Sequence, residues 1–84
     1  MDDEWTLKRA IGLNVKAELA KRRVRQADAA KILGIGQASV SARLTGKVSF
    51  TAPELAVIAQ WLSVPVERLF EPVPGIDRVD GAQP

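Results

Sequence analysis

Gln37 and Ser41 stand one helical turn apart in the run Gln37-Ala38-Ser39-Val40-Ser41-Ala42. A primary amide donates and accepts at the same time, and a hydroxyl does the same over a shorter reach, so this is chemistry of recognition rather than of bond making. The chain has no cysteine and no histidine. That removes thiol nucleophiles, imidazole acid–base catalysis and zinc-finger ligation. Glu18, Asp28 and the remaining carboxylates show no paired arrangement, and Gly34-x-Gly36 lacks the strand that a nucleotide-binding loop needs. The sequence therefore predicts no enzyme, no metal, no cofactor and no small-molecule ligand.

The elements that must position Gln37 and Ser41 lie between Arg25 and Lys47. The pattern predicts two short helices over residues 26–33 and 37–45, joined at Gly34 and stopped at Gly46. A glycine there supplies the left-handed backbone of a tight interhelical turn. This is the shape of a helix-turn-helix, whose second helix enters the DNA major groove. Ala29, Ala30 and Leu33 should face inward from the first helix, and Val40 and Leu44 from the second. At 100° per residue, the buried pair leaves Gln37, Ala38, Ser41, Ala42 and Thr45 outward.

Charge is distributed to match. The chain carries 12 Lys and Arg against 10 Asp and Glu, a net charge of +2. Residues 8–47 hold ten of the basic residues and two acids, Glu18 and Asp28, which leaves two basic and eight acidic residues elsewhere. A basic middle between acidic ends is the electrostatic footprint of a nucleic-acid face.

Around this unit, a first helix is expected over residues 5–22, with Leu7, Ile11, Val15 and Leu19 as its apolar stripe. Gly12 in its middle marks close packing or fraying. Thr51-Ala52-Pro53-Glu54 reads as a capped start for a helix over 52–62, with Leu55, Ile58, Ala59 and Leu62 inward. A short fifth helix over 65–70 should press Val66, Leu69 and Phe70 on the core. The expected organisation is all-α: one five-helix domain over 1–70 and a flexible, Pro/Gly-rich tail over 71–84. No long apolar run and no leader pattern appears, which leads to the expectation of a cytoplasmic protein without a membrane span.

From about Val15 to Phe70 the chain resembles the Xre/Cro-like family, the five-helix DNA-binding domain of lambdoid repressors and Cro proteins. The matching features are Gln26, Ala30 and Gly34, then Val40-Ser41, Gly46-Lys47, and Leu55, Ile58, Ala59 and Leu62 followed by Val64. Val40-Ser41-x-Arg43-Leu44-x-Gly46 is similar to short regulators of actinobacteria and their phages. The resemblance implies that Gln37, Ala38, Ser41 and Ala42 meet base edges, with the Gln37 amide suited to adenine, the alanine methyls to thymine, and the Ser41 hydroxyl able to bond either a base or a phosphate. It also implies phosphate contacts from Arg25, Gln26, Thr45 and Lys47, with Gln26 bracing Gln37. Leu19 and Leu44 stand where many relatives carry an ion pair, and Arg25 and Gly36 where they carry Ser/Thr caps; both caps should be weaker. Arg43 lies off the reading face, so it should snorkel or pair with an acid, while Arg22 and Arg23 read as a solvated helix end.

A half-site of about 4–6 base pairs cannot specify a genomic address, which implies a homodimer on an inverted-repeat operator. Val57 and Trp61, one turn apart off the core stripe, are the dimer-contact candidates, with Trp5 beside them; Trp61 alternatively closes the rim of the core. The function expected is a transcription regulator of the repressor kind that binds double-stranded DNA. The alternative is an antitoxin or other interaction module, whose tail with Asp77 and Asp80, or whose fourth helix, binds a protein.

Overall fold

The computed structural model describes the backbone of residues 3–73 and the side chains of residues 7–73. Four α-helices and one 3₁₀ helix follow in order: α1 (Asp3–Lys21), α2 (Gln26–Leu33), α3 (Gln37–Leu44), α4 (Ala52–Leu62) and the 3₁₀ helix (Val66–Phe70). The described chain is all-helical. The expected fifth α-helix is instead a 3₁₀ segment, started by Pro65 at its N-cap. So short a segment makes few i→i+4 bonds, and the tighter turn suits it.

α1 begins earlier than expected because Asp3 and Glu4 already belong to its first turn, where acids suit the helix dipole. It ends at Lys21, and Arg23 takes the left-handed conformation (φ 57°) while its N–H bonds the Ala20 carbonyl at 3.1 Å. α2 has the expected bounds. α3 stops at Leu44, and Thr45 caps it rather than extending it. The tail expected over 71–84 falls largely outside the described residues, as does the side chain of Trp5.

α1 packs on α3 and on the 3₁₀ helix, α2 on α3 and α4, and α4 on the 3₁₀ helix. Ile11, Val15, Leu19, Ala29, Ala30, Val40, Leu44, Leu55, Ile58, Ala59, Leu62 and Leu69 form one buried cluster, to which the chain adds Phe50 and Val64. Leu33 reaches it only partly buried. Leu19 and Leu44 share this apolar core, in accord with the reading of their positions.

Three apolar expectations fail. Leu7 is 48% exposed and Phe70 45%, and Val66 is also exposed. Residues four apart advance 400°, so a stripe with that spacing drifts 40° at every step and leaves the core face at one end. Leu7 is that end. In the 3₁₀ helix Phe70 stands about 120° round from the buried Leu69 and so faces outward, whereas Val66 shares the row of Leu69 one turn earlier and is exposed at the start of the segment.

Polar contacts between distant segments fix the frame. The Asn14 side-chain amide donates to the carbonyls of Leu69 (3.0 Å) and Glu71 (2.8 Å), which clamps the 3₁₀ helix on α1. Glu18 is buried and accepts from both Lys21 and Arg22. Arg22 also donates from Nε to the Leu62 carbonyl at 2.8 Å, tying the end of α1 to the end of α4. It is therefore a structural residue and not a solvated helix end. Burial raises the Glu18 pKa, and the hydrogen bonds from Arg22 and Lys21 outweigh that, so its carboxyl sits below the usual glutamate value.

Among the described residues no helix is long and apolar enough to cross a membrane.

Candidate functional site

α3 is held from both ends of the α2–α3 corner. Gly34 adopts φ 71°, and its N–H and that of Ile35 both bond the Ala30 carbonyl, at 2.8 and 3.1 Å. That double closure ends α2 sharply and lets α3 restart three residues later. At the start of α2, Arg25 offers no side-chain acceptor, yet the Asp28 carboxylate accepts the Arg25 backbone N–H at 2.9 Å. Half of a capping box thus replaces the missing Ser or Thr, and capping is less impaired than the sequence implied.

Val40 and Leu44 are buried as expected, which turns the other side of α3 outward. Gln37, Ala38 and Ser41 are exposed. Ala42 is half-buried. Its carbonyl accepts the N–H groups of Lys47 and Val48 at 3.0 and 3.2 Å, and the Thr45 hydroxyl at 3.2 Å. Ala42 is accordingly the least available of the four base-reading candidates.

Arg43 donates to both carboxylate oxygens of Glu54, from Nε at 3.0 Å and from Nη2 at 3.3 Å, and to the Ser39 carbonyl at 3.1 Å. The two side chains are 16% and 17% exposed, so the pair is largely shielded. Burial raises the Glu54 pKa, but the Arg43 hydrogen bond and the Thr51 backbone bond overcome it, and the net value is lowered. Arg43 thus fixes the far side of α3 to the start of α4, as the wheel suggested.

Of the phosphate-contact candidates, Arg25, Thr45 and Lys47 are exposed and Gln26 is half-buried. No hydrogen bond joins Gln26 to Gln37 among the described residues, so the expected brace is not formed. Gln26 instead lines a cleft of about 210 Å³ with Ser41, Leu44 and Thr45 from α3 and its cap, and Arg9, Leu13 and Lys16 from α1. The structure brings Gln26, Ser41 and Thr45 together there, while Gln37 and Ala38 lie outside it. Arg9 donates from Nη1 to the Thr45 carbonyl at 3.4 Å. Sequence reasoning missed Arg9 and Lys16, although their spacing of seven around Leu13 was available as a one-face signal.

Val57 is exposed and Trp61 is half-buried against the core. Trp61 turns toward α2 and shares a shallow groove of about 310 Å³ with Asp28, Lys31 and Ile32, without Val57. The two dimer-contact candidates therefore do not meet in one depression. Trp61 fits the rim of the core, the simpler of the two readings.

A second groove, of about 270 Å³, is apolar and lies between the first half of α1, the start of α4 and the 3₁₀ helix. Leu7, Ile11, Phe50, Leu55 and Phe70 line it, together with Lys8. Comparison with protein-family models and with curated proteins gives no match to this chain.

Proposed function

We propose that this chain is a sequence-specific regulator that binds double-stranded DNA, most simply a repressor, with α2 and α3 as a helix-turn-helix and α3 laid in the major groove. The observation that carries this reading is the outward side of α3. It is free of carboxylates and presents Gln37, Ala38 and Ser41 to solvent on a helix anchored by Val40, Leu44 and the Arg43–Glu54 pair. A carboxylate-free helix face with a bidentate amide near its N-terminus suits the donor and acceptor pattern of the major groove. Arg25 and Lys47 flank it at the two ends of the α2–α3 unit, where cations meet phosphate. The resemblance to the Xre/Cro-like domain points the same way, and the length of the reading helix argues for two copies on an inverted repeat in the cytoplasm or nucleoid.

The test is selection from a randomised duplex pool, repeated at two salt concentrations. Enrichment of an inverted repeat, with affinity falling steeply in salt, is the expected result. The double variant Gln37→Ala, Lys47→Ala should lose operator binding and keep its helical spectrum. Full affinity in that variant would show that α3 is not the reading helix.

The apolar groove beneath Leu7 and Phe70 favours a second reading, that of an antitoxin or interaction module. Selection that enriches no sequence, together with salt-insensitive binding, would favour it.

A further inference from the structure

We propose that the cleft between α1 and the α2–α3 pair holds a DNA phosphodiester, so that α1 joins the contact surface and Ser41 serves the backbone rather than a base. The inference rests on the DNA-binding reading and changes how its residues are divided.

The chemistry of the walls selects an anion. Two of the lining side chains, Arg9 and Lys16, are cationic, and none is acidic. Among the described residues no carboxylate pairs with Lys16. The nearest acid in sequence, Glu18, is buried and already engaged by Lys21 and Arg22. Asp28, the acid of α2, lines the groove of Trp61 instead. An ammonium in such a place gains most from a partner that arrives with its own negative charge.

The polar groups divide by what they have left to give. The Thr45 hydroxyl already donates to the Ala42 carbonyl and so meets a ligand only as an acceptor. Arg9 holds the Thr45 carbonyl, which fixes the end of α3 against α1 and places a positive charge on the cleft wall. The Ser41 hydroxyl and the Gln26 amide supply the donors, and Lys16 supplies the point charge. Two donors and an ammonium around one concavity match the oxygens of a phosphodiester. Gln37 and Ala38 lie outside the cleft, so the base-reading surface reduces to them and the half-buried Ala42.

The experiment measures binding of the full chain to its selected duplex and to an unrelated duplex, from 50 to 200 mM salt. The proteins are wild type, Lys16→Met, Lys16→Arg and Ser41→Ala. Lys16→Met should lower the slope of log K against log salt by about one, so that its affinity falls about threefold less over that range. Lys16→Arg should restore the slope, and Ser41→Ala should weaken both duplexes by the same factor. If wild type binds with a steep salt slope and Lys16→Met keeps it, the cleft is not a phosphate site and the DNA-binding reading stands. A change of base preference at one position in Ser41→Ala would return Ser41 to the reading face and overturn its assignment. Wild type that binds neither duplex overturns the reading and this inference together.

Discussion

Gly12→Ala sets two effects of opposite sign against each other. In the middle of a helix, alanine is favoured over glycine by about 1 kcal/mol. Here, however, a Cβ on residue 12 would stand 2.8 Å from the Arg43 carbonyl oxygen and closer still to that of Leu44. Both obstacles are backbone at the end of α3, so neither can swing aside as a side chain would. Overpacking of this kind costs about 1–3 kcal/mol, and a rigid obstacle places it at the upper end. The net expectation is a loss of about 2 kcal/mol, which for a domain of this size lowers the melting temperature by about 8–16 °C. Thermal and urea melts followed by far-ultraviolet circular dichroism read this directly. The substitution also separates α1 from α3 at the wall of the cleft, so DNA affinity should drop at temperatures where the variant is still folded. A variant as stable as wild type, or more so, would refute the close approach of α1 and α3 and leave only helix propensity at work.

Three other outcomes follow from the contacts. Ser63 holds φ 59° at the end of α4, so Ser63→Gly should raise stability by about 0.5–1 kcal/mol in urea melts, although glycine also loosens the unfolded chain. Asn14→Ala should lose about 1–2 kcal/mol, because it leaves the Leu69 and Glu71 carbonyls without their donor, and proteolysis should then begin near the 3₁₀ helix. Glu18 and Glu54 titrate below the usual glutamate value in the folded chain, so the unfolded chain takes up their protons first. The stabilisation is complete above the unfolded value of about 4.3 and is lost as the pH falls from there through the lower folded values. Melts from pH 6 to 3 should therefore stay level down to about pH 5 and lose stability below it, and a profile flat to pH 3 would remove both carboxylates from the account.

Local signals carried most of the fold. Thr51 and Glu54 form the reciprocal cap their spacing implies, with Glu54 N–H to the Thr51 hydroxyl at 3.2 Å and Thr51 N–H to the Glu54 carboxylate at 2.9 Å. Gly34 takes the left-handed turn, and the four inward residues of α4 are all buried. What the sequence did not reveal depends on partners far along the chain. Arg22 looks like any basic helix end until Leu62, forty residues on, turns a carbonyl toward it. Asn14 gives no signal of its bonds to residues 55 and 57 positions away. For the candidate site, exposure of Gln37, Ala38 and Ser41 followed from the helical wheel. The cleft did not, because it forms only where α1 crosses the α2–α3 corner, and no pattern within either segment encodes that crossing.

If α3 does read DNA, its outward face sets the kind of specificity the protein has. Gln37 alone offers a bidentate contact, worth about 1–3 kcal/mol of discrimination at one base pair. Ala38 offers only a methyl group, suited to thymine, and Ala42 is half-buried. Ser41 is drawn toward the cleft with Gln26 and Thr45. So few directed contacts cannot by themselves yield the 4–10 kcal/mol, roughly, that separates specific from non-specific binding. The remainder must come from fit. Short side chains allow the helix axis to approach the groove floor closely, and phosphate anchors on α1, α2 and the loop after α3 fix the backbone on both sides of it. Sequences that take up that geometry at low deformation energy are then preferred at positions no side chain touches. Lengthening Ala38 to glutamine would therefore not simply add a contact. It would lift the helix away from the groove, and affinity for the selected operator should fall even where an adenine stands ready to accept the new amide.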